Sequence, residues 1–309
     1  MPKVVITPRS FCEAGDGPQR LIRDAGYEIV ENTTGKTLTE SQMAELCADA
    51  VGLLVGIDPV SRRVLEDAPN LRAISKYGAG LDNVDLDAAK QLGIAVDRAA
   101  GTNAESVAEL AVGLMFALAR NLLPAAINTK SGGWARARGV ELKGKTAGIL
   151  GLGSIGRETA RMARGLGMDV VGYDPMVTGG EAFVRELGIA LKSRDEVIRE
   201  AHFLSLHLPL LDDTRLLINR DTLGMMRPGA YLVNTSRGEL VDEAALLEAL
   251  RSGHLAGAAS DVFSQEPPGQ HPLLALDTFI LTPHIGAYTS EANRRMAKVA
   301  AENLVRMLG

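Results

Sequence analysis

A chain of 309 residues suggests about two domains, and a hydrophobic share of 46% can give each of them a sizeable buried core. A formal net charge of −5 argues against general nucleic-acid binding, and two cysteines make neither a disulfide framework nor a metal site. The longest apolar stretch, residues 110–119, is far shorter than the roughly 20 residues that span a bilayer. The N-terminus reads as a strand and not as a signal peptide, so the sequence predicts a cytoplasmic protein that binds neither nucleic acid nor membrane and holds no metal.

The first hundred residues alternate short apolar runs with helical patterns. The runs are residues 4–6, 27–30, 51–55, 71–75 and 94–96, and the helical patterns are residues 18–25, 39–46, 61–65 and 85–92. Two of the helices begin with a side-chain cap, a Thr39-x-x-Gln42 capping box and Asp85. Strands that alternate with helices predict a parallel sheet whose two faces are covered.

The segment from Lys76 to Asn83 is the informative part of this first domain. It follows a predicted strand, at the end where open α/β sheets bind ligands. Gly78 and Gly80 flank Ala79 and expose backbone N–H groups that can hold a carboxylate, and Lys76 adds a positive charge. An ordinary glycine-rich turn with a solvated lysine explains the same residues equally well.

Residues 102–120 predict a long helix that leads from the first domain into the second. It is apolar nearly all round after Glu109, so we expect it to be buried or to lie at an interface. A basic loop follows, and it carries the single tryptophan of the chain, Trp134, together with Arg136 and Arg138.

Residues 146–174 carry a nucleotide-binding pattern. An apolar run at 146–150 predicts a buried strand, and Gly151-x-Gly153-x-x-Gly156 follows at once. Residues 154–166 then predict a helix, and residues 168–173 predict a second strand that ends at an acid, Asp174. A glycine triplet alone is weak evidence, but a triplet between a strand and a helix, with an acid closing the next strand, is typical of a dinucleotide site.

Each residue of this pattern has a physical task. Gly151 lets the chain turn tightly, Gly153 lets a pyrophosphate approach the backbone, and Gly156 lets the helix pack close to the strand. The free N–H groups that open the helix belong to Ser154 and Ile155, where the helix dipole favours an anion.

Asp174 indicates which dinucleotide binds. Its carboxylate can accept hydrogen bonds from a ribose diol and would repel a 2′-phosphate, and no arginine follows it directly. The sequence therefore predicts NAD in preference to NADP. The alternative is a structural βαβ unit without a ligand.

Four later strands end in polar or charged residues. Strand 203–207 ends in His207, strand 230–233 runs into residues 234–238, strand 257–260 ends at Asp261, and strand 279–281 leads to residues 282–286. In a doubly wound sheet these ends share one edge, beside the nucleotide crevice. A final amphipathic helix, residues 289–308, is expected to return to the first domain.

Three residues on such loops could form one catalytic site. Oxidation of an alcohol by hydride transfer needs a base for the hydroxyl proton, and His284 suits that task. A carboxylate beside it, Glu266, would favour the protonated ring, and Arg237 can clamp a substrate carboxylate with a forked contact. Taken singly, each of the three has a structural explanation; their joint position after strands favours the functional one.

Four motifs together resemble the D-2-hydroxyacid dehydrogenase family, over essentially the whole chain. They are Gly-Leu-Gly-Ser-Ile-Gly (151–156), Asn-Thr-Ser-Arg-Gly-Glu-Leu-Val-Asp (234–242), Asp-Val-Phe-Ser-Gln-Glu-Pro (261–267) and Thr-Pro-His-Ile-Gly (282–286). The resemblance implies two doubly wound, parallel-sheet α/β domains with an NAD cleft between them. A flavodoxin-like catalytic domain would be split between residues 1–100 and 285–309, with a Rossmann NAD-binding domain of residues 101–284 inserted in it.

The resemblance also implies roles for individual residues. Arg237 would bind substrate, Glu266 would be the partner of the histidine, and His284 would be the acid/base. Gly78 and Ala79 would hold the substrate carboxylate. The further cofactor contacts that it implies are His207, Pro209, Thr214, Thr235, Arg237, Asp261, His284 and Gly286. The helix at 102–120 would form much of a homodimer interface.

Within the family, Lys76, Asn103 and Trp134-Ala-Arg136 resemble the members that oxidise 3-phosphoglycerate, in which this arginine reaches a partner subunit's site. We therefore place a substrate with a second anionic group first. The chain ends at Gly309, without the regulatory C-terminal domain of many such members. Reductases of hydroxypyruvate or glyoxylate and dehydrogenases of sulfonated or other 2-hydroxy acids stay open, and an NAD-sensing scaffold of the same fold is the non-enzymatic alternative.

Overall fold

A computed structural model describes all residues, 1–309, and divides the chain into two compact units. Unit 1 comprises residues 1–103 and 287–309, and unit 2 comprises residues 104–286. No single helix is long and apolar enough to cross a membrane; one pair of helices, 104–119 and 122–130, meets the length and composition criteria jointly but is bent by 64°.

The chain forms twelve strands and thirteen α-helices. The strands are β1 (Lys3–Ile6), β2 (Glu28–Glu31), β3 (Ala50–Val55), β4 (Ala73–Lys76), β5 (Ala95–Arg98), β6 (Thr146–Leu150), β7 (Asp169–Tyr173), β8 (Ala190–Leu191), β9 (Phe203–Leu206), β10 (Ala230–Asn234), β11 (Leu255–Ser260) and β12 (Phe279–Leu281). The helices are α1 (Arg9–Cys12), α2 (Asp16–Asp24), α3 (Glu40–Cys47), α4 (Arg62–Glu66), α5 (Leu86–Gln91), α6 (Ala104–Ala119), α7 (Leu122–Lys130), α8 (Ser154–Gly165), α9 (Ala182–Glu186), α10 (Arg194–Glu200), α11 (Arg220–Met225), α12 (Glu243–Arg251) and α13 (Ser290–Leu308). Short 3₁₀ helices span Gly238–Leu240 and Pro272–Ala275.

Unit 1 is built on a five-stranded parallel sheet in the order β2-β1-β3-β4-β5. Successive side chains of a strand point to opposite faces, so Val5 and Leu53 enter one core and Val4 and Leu54 enter another. Helix α13 covers the second face, and the Ser75 hydroxyl donates to its Ala300 carbonyl at 2.8 Å. The doubly wound, parallel-sheet architecture predicted for this region is confirmed.

The two predicted caps in unit 1 are present. The Thr39 hydroxyl accepts from the Gln42 amide, and the Gln42 side chain accepts from the Thr39 amide, so the capping box at the start of α3 is complete. Asp85 accepts the Ala88 amide at 2.8 Å and starts α5. Both caps satisfy N–H groups that a helix N-terminus leaves without partners.

Unit 2 is built on a seven-stranded parallel sheet in the order β12-β11-β10-β9-β6-β7-β8. From β6 onward this is the strand order of a Rossmann sheet with one further strand at its edge. Adjacent residues again enter different cores, with Leu150 on one side and Ile149 on the other. Ala111 and Met115 of α6 are fully buried, as the apolar pattern of that helix predicts.

Several elements went unrecognised in the sequence. Helix α7 follows the long apolar helix directly, yet none of its residues is buried, so it carries no apolar stripe that faces a core. Between β7 and β9, helix α10 opens with a complete capping box formed by Ser193 and Glu196. That box is a readable signal in the sequence.

Candidate active site

The glycine loop between β6 and α8 is set by close backbone packing. Gly151 has a φ of 95°, which favours glycine, and a Cβ there would lie 2.5 Å from the His207 carbonyl oxygen. A Cβ on Gly156 would lie 1.9 Å from the Gly151 carbonyl oxygen. By contrast, a Cβ on Gly153 would meet nothing within 4 Å, and no side chain caps the N–H groups of α8. The loop therefore leaves the helix N-terminus open to an anion.

Asp174 is held in a fixed orientation at the end of β7. One carboxylate oxygen accepts the Leu152 amide at 2.8 Å, and the other accepts the Met176 amide at 2.9 Å. Each carboxylate oxygen has more than one lone-pair site, so both keep capacity for the hydroxyls of a ribose diol. The carboxylate thus stands beside the glycine loop, where the sequence predicts it.

Two buried polar atoms without partners fit the cofactor that the sequence predicts. They are His207 Nδ1, just past β9, and Thr235 Oγ1, just past β10. Burial lowers the pKa of His207 to about 3, so the ring is neutral at physiological pH, and its Nε2 lies 2.9 Å from Ser205 Oγ. Buried polar atoms in folded proteins normally have partners, and a carboxamide or ribose hydroxyl of NAD would supply them here.

Asp261 fixes the turn that carries His284. Its buried carboxylate accepts the Thr282 hydroxyl at 2.5 Å and the amides of Ile285 and Gly286 at 2.9 and 2.7 Å. The His284 amide donates to the Asp261 carbonyl at 2.9 Å. His284 has a φ of 53°, which is uncommon for a residue other than glycine. The turn is therefore held by hydrogen bonds at every residue from 284 to 286.

Glu266 and His284 are in direct contact. His284 Nδ1 and Glu266 Oε2 lie 2.8 Å apart, and the second carboxylate oxygen of Glu266 accepts the Phe263 amide at 3.0 Å. Burial opposes ionisation of Glu266, but the bonds from His284 and Phe263, together with the positive charge of Arg237, outweigh it and lower the pKa of Glu266. The three predicted catalytic residues thus lie together in unit 2.

Arg237 lies in a loop that its neighbours shape. Asn234, at the end of β10, accepts the Ser236 amide at 3.0 Å and donates to the Arg237 carbonyl at 2.8 Å. The Ser236 hydroxyl donates to the Leu206 carbonyl at 2.7 Å, which ties the loop to β9. Asn234 is nearly fully buried, so the loop conformation depends on a side chain that does not face the solvent.

The residues predicted to bind substrate at the first glycine loop lie in unit 1. Gly78 has a φ of 141°, and the Ala79 carbonyl accepts Arg98 Nη1 at 2.8 Å. Lys76 is buried, and its ammonium group donates to the Gly56 carbonyl and, at 2.5 Å, to Asn83 Oδ1. The prediction did not foresee these partners: Gly56 comes from the loop after β3, and Asn83 folds back from the end of the same segment.

The remaining predicted residues differ in their surroundings. Asn103 is buried, and its Oδ1 has no hydrogen-bond partner. Thr214 is buried, and its hydroxyl donates to the Pro209 carbonyl at 2.7 Å and accepts the Leu211 amide at 2.8 Å, so it stabilises its own loop. Arg136 is exposed on the irregular segment that follows α7.

Sequence reasoning missed Glu243 and His271, which contact the loop that carries Glu266. Glu243 accepts the Ser264 amide at 2.9 Å, and its other oxygen lies 3.5 Å from His271 Nε2. Glu243 follows the cap of α12 and looks like an ordinary acid of a first helical turn. No local pattern could have indicated a partner 21 residues away.

Comparison with known proteins places this site in a wider context. Residues 112–286 match the model of the D-isomer specific 2-hydroxyacid dehydrogenase NAD-binding domain. The chain is 42% identical over 283 residues to a D-3-phosphoglycerate dehydrogenase of Methanocaldococcus jannaschii, which covers 90% of this chain and 53% of the relative. It is 39% identical over 282 residues to a hydroxypyruvate reductase of Thermotoga maritima, with 89% and 90% covered. The chain thus spans about half the length of the first relative and nearly all of the second.

A solved structure has the same fold with the cofactor bound. It is the NAD⁺-bound 3-phosphoglycerate dehydrogenase of Entamoeba histolytica, at a TM-score of 0.83 and 28% identity, with 98% of this chain and 94% of that chain covered.

Proposed function

This chain belongs to the D-isomer specific 2-hydroxyacid dehydrogenase family, and we propose that within it the protein interconverts 3-phosphoglycerate and 3-phosphohydroxypyruvate. Its relatives are NAD-dependent oxidoreductases that act on CH–OH groups. The observation that carries a catalytic assignment is the 2.8 Å hydrogen bond between His284 and Glu266. Oxidation of an alcohol needs a base for the hydroxyl proton, and a histidine held by a carboxylate suits that task.

The pair determines which ring atom exchanges the proton. With Nδ1–H donated to Glu266, the neutral ring keeps a lone pair on Nε2, and this atom takes the proton of the substrate hydroxyl. The imidazolium that forms is stabilised by the ionised carboxylate of Glu266. In the reverse direction, the same Nε2–H protonates the 2-oxo group. The 42% exposure of the His284 side chain leaves Nε2 accessible to a substrate.

Other residues bind and orient the substrate and the cofactor. Arg237 suits the substrate carboxylate because its fork makes two parallel hydrogen bonds. In unit 1, the backbone amides at Gly78 and Ala79 also suit a carboxylate. NAD, when bound at the glycine loop and Asp174, supplies the acceptor for the hydride of the substrate.

The role of Arg136 distinguishes between the possible substrates. A 2-oxo or 2-hydroxy acid needs only the groups already named, whereas a distal phosphate needs a further cation. The ammonium group of Lys76 donates to Gly56 and Asn83, so exposed Arg136 is the stronger candidate for the distal phosphate. We infer that it acts from the neighbouring subunit of a homodimer.

The surface around α7 supports such a dimer. Leu122, Leu123 and Ile127 are 52%, 44% and 55% exposed, and Trp134 is 78% exposed. Large apolar side chains grouped in this way mark interaction surfaces on many proteins. A second copy of the chain that covers this surface would bring the segment with Arg136 against its partner. Mass measurement by light scattering tests the dimer directly, and a monomer at micromolar concentration would contradict it.

The decisive substrate experiment compares kcat/KM for 3-phosphoglycerate and glycerate in the wild type, in Arg136→Ala and in a control, Lys130→Ala. Lys130 ends α7 and is also exposed, so the control removes the same charge close by. A charged contact is worth about 1.5–3 kcal/mol, so Arg136→Ala should lose roughly ten-fold or more with 3-phosphoglycerate only. Equal losses with both acids, or a wild type that prefers glycerate, would contradict the assignment.

A hydroxypyruvate or glyoxylate reductase is the second candidate. The carbonyl and amide partners of Lys76 favour it, since they occupy two of the three N–H donors that its ammonium group could offer a phosphate. Such an enzyme should reduce hydroxypyruvate or glyoxylate efficiently, and Arg136→Ala should change neither reaction. Tight NAD binding without turnover of any 2-hydroxy acid would instead support a scaffold function.

A further inference from the structure

We propose that Glu243 is a positioning residue for catalysis, which holds the Phe263–Ser264 peptide in place and thereby aligns Glu266 with His284. This inference rests on the roles of Glu266 and His284 proposed above. Glu243 lies at the start of α12, outside the motifs that carry the catalytic side chains. Its side chain is 18% exposed, so the carboxylate turns inward, towards the loop after β11.

The first contact is with the loop backbone. Glu243 Oε1 accepts the Ser264 amide at 2.9 Å. The neighbouring Phe263 amide, one peptide earlier, donates to Glu266 Oε1 at 3.0 Å. Two consecutive amides of one short turn thus bind two different glutamates, and Glu243 fixes the orientation of the amide pair from which Glu266 takes its hydrogen bond.

The second contact holds Glu243 itself. His271 Nδ1 accepts the Leu273 amide at 3.3 Å, so the proton of the neutral ring resides on Nε2. That atom faces Glu243 Oε2 at 3.5 Å. The ring of His271 also packs edge-on against Phe263, with centroids 4.8 Å apart. Both oxygens of Glu243 therefore face groups on the same loop, and Oε1 is the one that is hydrogen-bonded.

Gly238 packs directly against the Phe263–Ser264 peptide. A Cβ at this position would lie 2.0 Å from the Phe263 carbonyl carbon and 2.2 Å from the Ser264 nitrogen. The Phe263–Ser264 peptide thus lies directly against the backbone next to Arg237, with Glu243 bonded to its N–H. A shift of this peptide would therefore change the distance between Arg237 and Glu266.

The test uses Glu243→Ala, Glu243→Gln and a control on the same helix, Glu248→Ala. Glu248 is 55% exposed and pairs with Arg220, away from the loop. Loss of the acceptor in Glu243→Ala should lower kcat about ten-fold or more, because small misplacements of catalytic groups are costly, while NAD affinity stays unchanged. Glu243→Gln keeps an oxygen for the Ser264 amide and should recover most of the loss. Glu248→Ala should behave as the wild type does.

A titration separates positioning from a general loss of stability. The Phe263 amide is one of the groups that lower the pKa of Glu266, so that pKa should be higher in Glu243→Ala than in Glu243→Gln, which removes the same charge but keeps the acceptor. The change is measurable by ¹³C NMR of glutamate carboxyls, with the Glu266 signal assigned from Glu266→Gln. In 2-oxo acid reduction, the acid limb of the pH–rate profile should move to higher pH in parallel.

The NMR titration needs no turnover, so it tests the inference even if the wild type oxidises none of the acids tried. A Glu266 titration in folded Glu243→Ala that matches the one in Glu243→Gln would overturn the inference. So would wild-type kcat in Glu243→Ala, or a Glu243→Gln enzyme as impaired as Glu243→Ala. A wild type with no dehydrogenase activity would instead overturn the proposed function alone.

Discussion

Gly153→Ala should weaken NAD binding without unfolding the protein. In the free chain, a Cβ at this position meets no atom within 4 Å, and its φ of −69° suits any residue. Alanine is a poorer N-cap than glycine by about 1 kcal/mol, but it also restricts the unfolded chain, which stabilises by about 0.4–1 kcal/mol. The two effects nearly cancel, so the free energy of unfolding should change by less than about 1 kcal/mol.

The loss of affinity follows from the same open space. The methyl group would stand where the pyrophosphate approaches the N–H groups of Ser154 and Ile155. One hydrogen bond to a charged group is worth about 1.5–3 kcal/mol, so NAD should bind about 10- to 150-fold more weakly. Isothermal titration with NAD measures the affinity, and thermal unfolding measures the stability.

Two other glycine substitutions on α8 are matched controls. Gly156→Ala would place a Cβ 1.9 Å from the Gly151 carbonyl oxygen, and overpacking of this kind costs about 1–3 kcal/mol or more, so it should lower Tm by several degrees. Gly165→Ala meets nothing within 4 Å at the far end of the helix, so it should leave NAD affinity unchanged and raise the free energy of unfolding by about 0.4–1 kcal/mol. Unchanged NAD affinity in Gly153→Ala would refute the assignment of this loop to the pyrophosphate.

Four further outcomes can be checked with standard assays. His284→Ala should lower turnover by about 100-fold or more at nearly unchanged NAD affinity, and equal losses in both would argue for a structural role. Glu266→Gln should move the acid limb of alcohol oxidation to lower pH, since a neutral amide stabilises the imidazolium less; an unshifted profile would remove Glu266 from its assigned role. Asp174→Ala should narrow the gap between NAD and NADP, and a wild type that uses both equally would show that Asp174 does not select the cofactor. Burial raises the pKa values of Cys12 and Cys47 to about 12, so neither should react with a thiol reagent at pH 8 until the protein is unfolded, and fast labelling of the native protein would contradict this.

A stability measurement checks the pKa of Glu266 by a separate route. Since its pKa is lowered in the folded chain, ionised Glu266 stabilises the fold above about pH 4.3, the value of a free glutamate. That contribution is lost as the pH falls through the lowered value. The Tm of Glu266→Gln should therefore fall less steeply with acid than that of the wild type.

The sequence by itself determined the features that depend on neighbouring residues. The glycine at 151 follows from a turn that needs a positive φ, and the glycine at 156 follows from a helix that packs against its own strand. The acid at 174 belongs to the same pattern, since it closes the next strand. The capping box at Thr39 and the buried helix α6 are local patterns of the same kind. Alternation of strands and helices was enough to predict parallel sheets, since consecutive parallel strands need a crossover.

The tertiary structure decided which distant side chains meet. Glu266 and His284 are 18 residues apart, and Glu243 and Ser264 are 21 apart, yet each pair is in contact because parallel strands deliver their loops to one edge of the sheet. In the other sheet, Lys76 donates to the Gly56 carbonyl, on a loop 20 residues away, where the sequence gives only a lysine before a glycine-rich turn. Periodicity and capping act over a few residues, so they specify the strands and helices; contacts across a sheet edge depend on strand order, which no local pattern contains.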